Sequence, residues 1–236
     1  MVHPLQRTGR LAGFLYLLVV LSGPFVLLYV PGKLLAGSNP STTAANILAH
    51  ESLYRAYIVV GILAELAFVS VALVLYRLLQ SVNANLAAVM AILVLIDAPM
   101  SFFGVANQVA TLAFLRHPEL LAAFDQPQRD ALATLLIGFD RKGVLVSEVF
   151  WGLWLLPLGM LVFRSGFIPR LLGIWPFVNG VAYLVISSTG LMWPEYGKVV
   201  DTVTMPVLFG EVAFMLWLLI VGAREQPSRV TTPQAR

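Results

Sequence analysis

The chain has no cysteine among its 236 residues, and this absence excludes disulfides, thiolate metal ligands and thiol nucleophiles. Only three histidines are present, His3, His50 and His117, and none has metal-ligand spacing with an acid on one helix face. The sequence also lacks a nucleophile elbow, a phosphate loop and a dinucleotide fingerprint. We therefore expect no bound metal and no cofactor.

Charged residues are scarce as well. They make up 11% of the chain, against about 25% in a typical soluble domain. The net charge is +3, but the basic residues are spread over short loops and do not cluster with aromatic residues on one face, so we expect no nucleic-acid partner. Hydrophobic residues make up 59% of the chain, and the mean hydropathy is +0.85. This composition indicates that the protein lies in a lipid bilayer.

Long apolar runs set the architecture. A bilayer core of about 30 Å needs roughly 20 apolar residues per helix. Six runs reach this length, at residues 11–30, 55–79, 86–115, 143–163, 171–192 and 200–222. The first run is longer than the core of a signal peptide, so we interpret it as a retained span. The sequence predicts an all-α, six-helix transmembrane bundle in one domain over residues 1–224, followed by a flexible cytoplasmic tail at 225–236.

The basic residues predict an orientation. The N-terminus, the second and fourth loops and the C-terminus carry arginines with one acid, Glu225, whereas the other side balances basic and acidic residues. These arginines lie in short segments, where the positive-inside rule is strongest. They are Arg7, Arg10, Arg77, Arg164, Arg170, Arg224, Arg229 and Arg236. We expect a bacterial inner-membrane protein with both termini in the cytoplasm, and nothing in the sequence indicates an oligomer.

The connection from Arg116 to Lys142 is the longest. Its prolines and scattered apolar positions predict two short helices that lie on the membrane surface. We interpret Asp140-Arg141-Lys142, at its end, as a solvated or interfacial charge cluster.

Each even-numbered span carries a glutamate followed, 12 to 16 residues later, by an arginine. The pairs are Glu65 and Arg77, Glu148 and Arg164, and Glu211 and Arg224. Each odd-numbered span opens with a similar short motif, such as Arg10-Leu11-Ala12-Gly13 and Arg170-Leu171-Leu172-Gly173. This pattern suggests three tandem helical hairpins, and parallel repeats are one way to build intramembrane sites.

The second half of the chain resembles a bacterial family of six-span integral membrane proteins known as domain of unknown function 4386. The matching segments are Phe150–Gly159, Phe163–Gly173, Gly180–Leu184, Gly210-Glu211 and Leu216–Leu219, with weaker matches at 10–13, Arg55, 75–79 and 82–83. The most specific part is Arg164-Ser165-Gly166-Phe167-Ile168-Pro169-Arg170. The resemblance covers nearly the whole chain and implies the six-helix architecture. It implies no activity, because the family has none assigned.

Four acids lie at membrane depth without a lysine or arginine at the same level: Glu65, Asp97, Glu148 and Glu211. An ionisable residue inside hydrocarbon is costly and marks a candidate functional site. A carboxyl removed from water tends to hold its proton, so these four are the candidate catalytic acids and bases. The alternative is that each acid joins two helices through a hydrogen bond and has no chemical role.

Aromatic and amide side chains near these acids are candidates for substrate binding. Aromatic faces stabilise cations, including a carbocation, and amides line polar cavities, although ordinary packing explains each residue as well. The candidates are Phe68, Phe102, Asn107, Gln108, Trp151, Trp154, Asn179 and Tyr183.

Three functions follow from this pattern. The first is an intramembrane enzyme that uses the acids on a hydrophobic, isoprenoid or lipid-like molecule, as a cyclase or isomerase does. The second is a proton-coupled transporter or cation channel, and the third is a non-catalytic structural or sensory protein. The polar residues lie in the centre and outer half of the spans, whereas the inner ends are apolar. A pocket open on one side favours the enzyme.

Overall fold

The computed structural model describes residues 4–35, 40–117, 119 and 122–223, and its regular elements are all helical. They are α1 (Pro4–Gly23), a π-helical turn (Pro24–Tyr29), α2 (Val30–Leu34), α3 (Pro40–Ala49), α4 (Glu51–Leu79), α5 (Ala84–Arg116), α6 (Gln126–Ser165), α7 (Leu171–Met192), a 3₁₀ turn (Pro194–Tyr196), α8 (Gly197–Leu208) and α9 (Gly210–Ile220). The predicted tail at 225–236 lies outside the described residues.

Within the described residues, six stretches are long and apolar enough to cross a bilayer, which confirms the predicted all-α, six-helix bundle. Span 1 runs from Pro4 to Leu34, and spans 2 to 5 are α4, α5, α6 and α7. Span 6 is the stretch Pro194–Ile220, which is divided into α8 and α9 at Phe209, shortly after Pro206.

The six spans form a ring in chain order. Each span packs against the next, and α9 of span 6 closes the ring against α1. Spans 1, 3 and 5 therefore start at one face, here called the N-terminal face, and end at the opposite face. The loops at 80–83 and 166–170 lie at the N-terminal face.

Local signals fix where the helices begin and end. The Asn83 side chain accepts a hydrogen bond from the Leu86 amide (2.9 Å) at the start of α5. Asp125 and Gln128 form a capping box at the start of α6. Gly166, with a φ of 72°, ends α6 in the left-handed conformation that glycine adopts readily.

The fourth span is longer than predicted. α6 is one continuous helix of 40 residues, about 60 Å at 1.5 Å per residue. The prediction of two short surface helices between Arg116 and Lys142 is therefore wrong for residues 126–142. The capping box at Asp125 starts the helix early. The proline inside the helix, Pro157, lies well within the span, so no proline interrupts the helix before it enters the bilayer.

Spans 4 and 5 approach each other closely through two pairs of glycines. A Cβ added to Gly152 would lie 2.7 Å from the Gly180 carbonyl oxygen, and one added to Gly180 would lie 2.7 Å from that of Gly152. The pair Gly159 and Gly173, two turns further along, has the same reciprocal contacts at 2.7 Å. Small residues of this kind let helix backbones approach each other in a membrane.

The half of the bundle next to the N-terminal face is filled with apolar side chains. Leu75, Leu79, Met90, Leu158 and Leu161 are fully buried there and belong to one core cluster. Their burial leaves the polar side chains of the spans to the middle of the bundle and to its other half.

Candidate functional site

Asp97 of span 3 is fully buried in the middle of the bundle. The Trp151 indole N–H of span 4 donates a hydrogen bond to Asp97 Oδ2 (2.8 Å), and Ser147 lies next to the same carboxyl. Asp97 Oδ1 is buried without a hydrogen-bond partner among the described residues. A buried polar atom without a partner is rare and calls for an explanation.

Glu65 of span 2 lies beside this group. Its side chain is 8% exposed, it interacts electrostatically with Asp97, and Ser101 of span 3 adjoins it. Glu65 Oε1 is also buried without a partner in the part of the chain that is described. Neither acid forms an ion pair among the described residues. Glu65 and Asp97 are called the acid pair below.

Glu148 extends the site towards span 5. Its Oε2 is buried and has no hydrogen-bond partner within the described ranges, and its carboxyl interacts electrostatically with Tyr183 and Asp201. The Trp151 and Tyr183 rings meet edge to face, with centroids 5.8 Å apart. Trp151 therefore contacts both Asp97 and Tyr183, and it links the acid pair to the surroundings of Glu148.

Glu211 of span 6 is held differently, because neighbouring helices satisfy its carboxyl. Tyr16 of span 1 donates its hydroxyl hydrogen to Glu211 Oε2, and Asn179 of span 5 donates to Oε1 (3.1 Å). These bonds join spans 1, 5 and 6. The sequence ranked Glu211 among the catalytic candidates, and in the structure its carboxyl joins two neighbouring spans through these bonds.

An aromatic cluster lies next to the acids on the side of the N-terminal face. Phe68 packs edge to face on Trp154, with ring centroids 5.1 Å apart, and Tyr16 contacts both Trp154 and Phe214. Trp154 is 2% exposed. The predicted substrate-binding residues Phe68 and Trp154 therefore pack against each other and close the site on the side of the N-terminal face.

The remaining predicted residues are scattered. Phe102 is 37% exposed on the outside of the bundle, where lipid is its neighbour. The Asn107 amide donates to the Leu136 carbonyl oxygen (2.7 Å), so it ties α5 to α6. Gln108 is buried, and it contacts a residue that the sequence did not select, Asp140.

The predicted solvated or interfacial cluster Asp140-Arg141-Lys142 is exposed at Arg141 and Lys142 but not at Asp140. Asp140 is half-buried between helices, where the Gln108 amide donates to both carboxylate oxygens (3.3 and 3.2 Å) and the Tyr57 hydroxyl donates to Oδ2 (3.3 Å). The spacing of Asp140, Ser147 and Trp151, at seven and four residues, places them on one helix face. That signal was hidden because the span was predicted to begin at Gly143. Tyr16, the partner of Glu211, gave no local signal.

The ring is less tightly closed in the half next to the opposite face. There α8 packs mainly on α7, and span 1 contacts span 6 through α9. Phe209 and Val203 of the sixth span are 68% and 69% exposed. Glu148, Trp151 and Tyr183 are half-buried in this half. Within the described residues, no group of three or more His, Asp or Glu side chains is placed to hold a metal ion.

The six apolar helices and the acids inside them define a polytopic integral membrane protein. The chain belongs to the family called Domain of unknown function (DUF4386), whose model matches residues 11–222. An uncharacterized protein of Archaeoglobus fulgidus is 29% identical over 178 residues, which cover 75% of this chain and 90% of that protein. No solved structure matches the chain. The family resemblance seen in the sequence is confirmed.

Proposed function

We propose that the protein is an intramembrane acid–base enzyme that isomerises or cyclises a hydrophobic, isoprenoid or lipid-like molecule. The observation that supports this proposal is the acid pair. Glu65 and Asp97 lie on adjacent spans, and both are buried. Among the described residues each keeps one oxygen without a partner, and neither forms an ion pair. Structural hydrogen bonding alone does not explain acids in this arrangement.

The chemistry follows from the pairing. Two carboxyls this close in an apolar medium hold one proton between them at lower cost than two charges. The neutral carboxyl donates its proton to a carbon–carbon double bond, which leaves a carbocation. The other carboxylate removes a proton from a neighbouring carbon, so the product is an isomer or a ring with the same composition. The faces of Trp151 and Tyr183 stabilise the cation between the two steps.

The bilayer supplies the substrate. The looser packing between α8 and span 1 gives a hydrophobic molecule a lateral entry in the half next to the opposite face. Glu148, Trp151 and Tyr183 are half-buried on that side, and they would contact the molecule before it reaches the acid pair. The aromatic cluster around Trp154 sets the depth that the molecule reaches.

The alternative functions are less well supported. A transporter or cation channel needs a polar route through both halves of the membrane, and fully buried leucine and methionine side chains fill the half next to the N-terminal face. A structural or sensory protein accounts for the satisfied carboxyl of Glu211 but leaves the acid pair unexplained. Proton flux in proteoliposomes that depends on Asp97 would favour transport.

Turnover in heavy water tests the enzyme directly. The full chain in lipid nanodiscs is incubated in D₂O with geranylgeraniol and, separately, with squalene. The recovered isoprenoid is then examined by mass spectrometry. Protonation and deprotonation by the acid pair incorporate deuterium into carbon–hydrogen positions, and Asp97→Asn and Glu65→Gln abolish the incorporation. Asp130→Asn is the control, since Asp130 contacts Ser41 and Gln126 near the start of α6. Equal labelling in all variants would exclude the acid pair as the source of the proton.

The orientation in the membrane is part of the same proposal. We place the protein in the bacterial inner membrane with both termini in the cytoplasm, because arginines are concentrated in the short loops of that side. A fluorescent protein fused to the C-terminus would then mature, whereas a periplasmic phosphatase fused at the same point would stay inactive.

A further inference from the structure

We propose that spans 2, 3 and 4 form a one-sided proton access route from the opposite face of the membrane to the acid pair, with Asp140 as the intermediate proton carrier. The inference rests on the proposed function, because an enzyme that donates a proton must exchange protons with water. To the proposed function it adds a second site, formed by Asp140 and its partners, and the side of the membrane from which protons reach the acid pair.

The route follows one face of α5. Asp97, Ser101, Gly104, Gln108 and Thr111 are separated by four, three, four and three residues, which places them in a single stripe along a helix. Every member is polar or glycine. The stripe begins at the acid pair and continues towards the end of span 3 at the opposite face.

The facing side of α6 carries a matching stripe in the antiparallel direction. Gln108 contacts Asp140, and eleven residues away along each helix Asp97 contacts Trp151. Gly143 and Ser147 lie between Asp140 and Trp151 on the same face. Both helices therefore present small or polar residues to each other between the two acidic levels.

Span 2 completes the route. Tyr57, Gly61 and Glu65 follow each other at intervals of four residues, which is one helix face. Tyr57 donates to Asp140, and Glu65 lies at the acid pair. Gly61, between them, has Val105 of span 3 as its nearest neighbour, with 3.7 Å from the added Cβ to a Val105 methyl carbon. Each of the three helices therefore extends from the level of Asp140 to the level of the acid pair.

Unsatisfied oxygens lie along this stretch, and small residues adjoin Asp140. A Cβ added to Gly104 would lie 3.2 Å from Asp140 Oδ1, so the glycine lets α5 pass close to this carboxyl, and Gly143 lies about one turn from Asp140 on α6. Gln108 and Glu65 are each 8% exposed and Asp97 is fully buried, and each has an oxygen without a partner in the described structure. Water is the smallest molecule that satisfies such oxygens and carries a proton between carboxyls.

The route ends at the acid pair. Beyond Asp97, α5 continues towards the N-terminal face with Val94 and Met90, which are fully buried, and α6 continues with Trp154 and Leu158. Between Leu86 and Ile96 on α5, and between Gly152 and Phe163 on α6, the sequence holds no carboxyl, amide or hydroxyl side chain for a proton to follow. The arrangement therefore supplies protons from one side of the membrane and does not conduct them across it.

Infrared spectroscopy tests the route on the full chain in nanodiscs. After transfer to D₂O, the carboxylic C=O band that Asp97→Asn or Glu65→Gln removes is followed as its proton exchanges for deuterium. Asp140→Asn removes the intermediate carrier, and Gly143→Leu places a large apolar side chain about one turn from it on the same helix face. Each variant should slow the exchange about tenfold or more, which corresponds to a barrier raised by about 1.4 kcal/mol. Gly138→Leu is the matched control, because Gly138 lies on the same helix and, like Gly143, has nothing within 4 Å.

The outcomes separate this inference from the enzyme. Slow exchange in Asp140→Asn and Gly143→Leu, with normal exchange in Gly138→Leu, supports the route even if no hydrocarbon is converted. Unchanged exchange in both route variants overturns it, whatever the deuterium labelling of hydrocarbons shows. If neither Asp97→Asn nor Glu65→Gln removes a carboxylic band, the acid pair holds no proton, and both the route and the enzyme are wrong.

Discussion

Replacing Gly159 with alanine tests the close contact between α6 and α7, which fixes the position of span 4 and its acids. The added Cβ would lie 2.7 Å from the Gly173 carbonyl oxygen and 3.0 Å from the Phe177 backbone nitrogen and Cβ. Ordinary contacts begin near 3.4 Å, so α6 and α7 must separate by several tenths of an ångström. All of these neighbours are backbone or Cβ atoms, which cannot rotate away as the end of a side chain can.

The expected loss of stability is moderate. Overpacking of this kind costs about 1–3 kcal/mol, and alanine recovers up to about 1 kcal/mol through its better helix propensity. Gly138→Ala in the same helix gains the same propensity, so relative to that variant the loss is about 1–3 kcal/mol. In a chain of this size, 1 kcal/mol shifts the melting temperature by about 2–4 °C, so Gly159→Ala should melt about 2–12 °C below Gly138→Ala.

Thermal unfolding in a mild detergent, followed by intrinsic tryptophan fluorescence, measures this shift. Gly138→Ala is the control, since the same substitution in the same helix meets no atom within 4 Å and should leave the melting temperature equal or slightly higher. A Gly159→Ala protein that melts together with Gly138→Ala would refute the reasoning, because the close approach of α6 and α7 would then be absent.

Three further predictions concern the acids and the ends of the helices. Tyr16→Phe removes the hydroxyl that donates to Glu211 and should lower the unfolding free energy by about 1–3 kcal/mol. Tyr29→Phe, at an exposed ring, should leave the unfolding free energy unchanged. Equal melting temperatures of the two variants would show that the hydrogen bond to Glu211 does not stabilise the fold. Asp125→Ala removes the capping box of α6 and should cost about 1 kcal/mol, with faster amide exchange confined to the first turns of the helix; unchanged exchange there would show that the cap does not hold. An apolar carbodiimide reacts with protonated carboxyls in hydrocarbon and should label Glu65 or Asp97. It should spare Glu51, which pairs with Arg55 and Arg116. Labelling of Glu51 alone would show that the acid pair holds no reactive proton.

The architecture could be predicted because the bilayer imposes a length on each span. About 20 apolar residues are needed to cross the hydrocarbon core, and this requirement is local, so six runs in the sequence became six spans. The start of α6 at Gln126 was missed for the complementary reason. Outside the bilayer no such length applies, and the capping box of Asp125 and Gln128 decides where the helix begins.

The candidate site was predictable only in part. Buried acids stand out in an apolar sequence, and Asp97 and Glu65 were selected on that ground. Their partners depend on how spans pack, and helices that are apolar all round give little indication of which side faces the interior. Tyr16 and Glu211 are separated by 195 residues, so their hydrogen bond has no local signal. Asp140 was misassigned because its helix was predicted to begin three residues later.

The central claim is that Glu65 and Asp97 form a site for a hydrophobic molecule. A high-resolution density map of the protein purified in lipid nanodiscs tests it most directly. We predict an elongated density that enters between α8 and span 1 and ends within contact distance of the acid pair, Trp151 and Tyr183. A bundle with no such density, in which neighbouring helices also satisfy the unpartnered oxygens Glu65 Oε1 and Asp97 Oδ1, would contradict the claim, as would a hydrated path through both halves of the membrane.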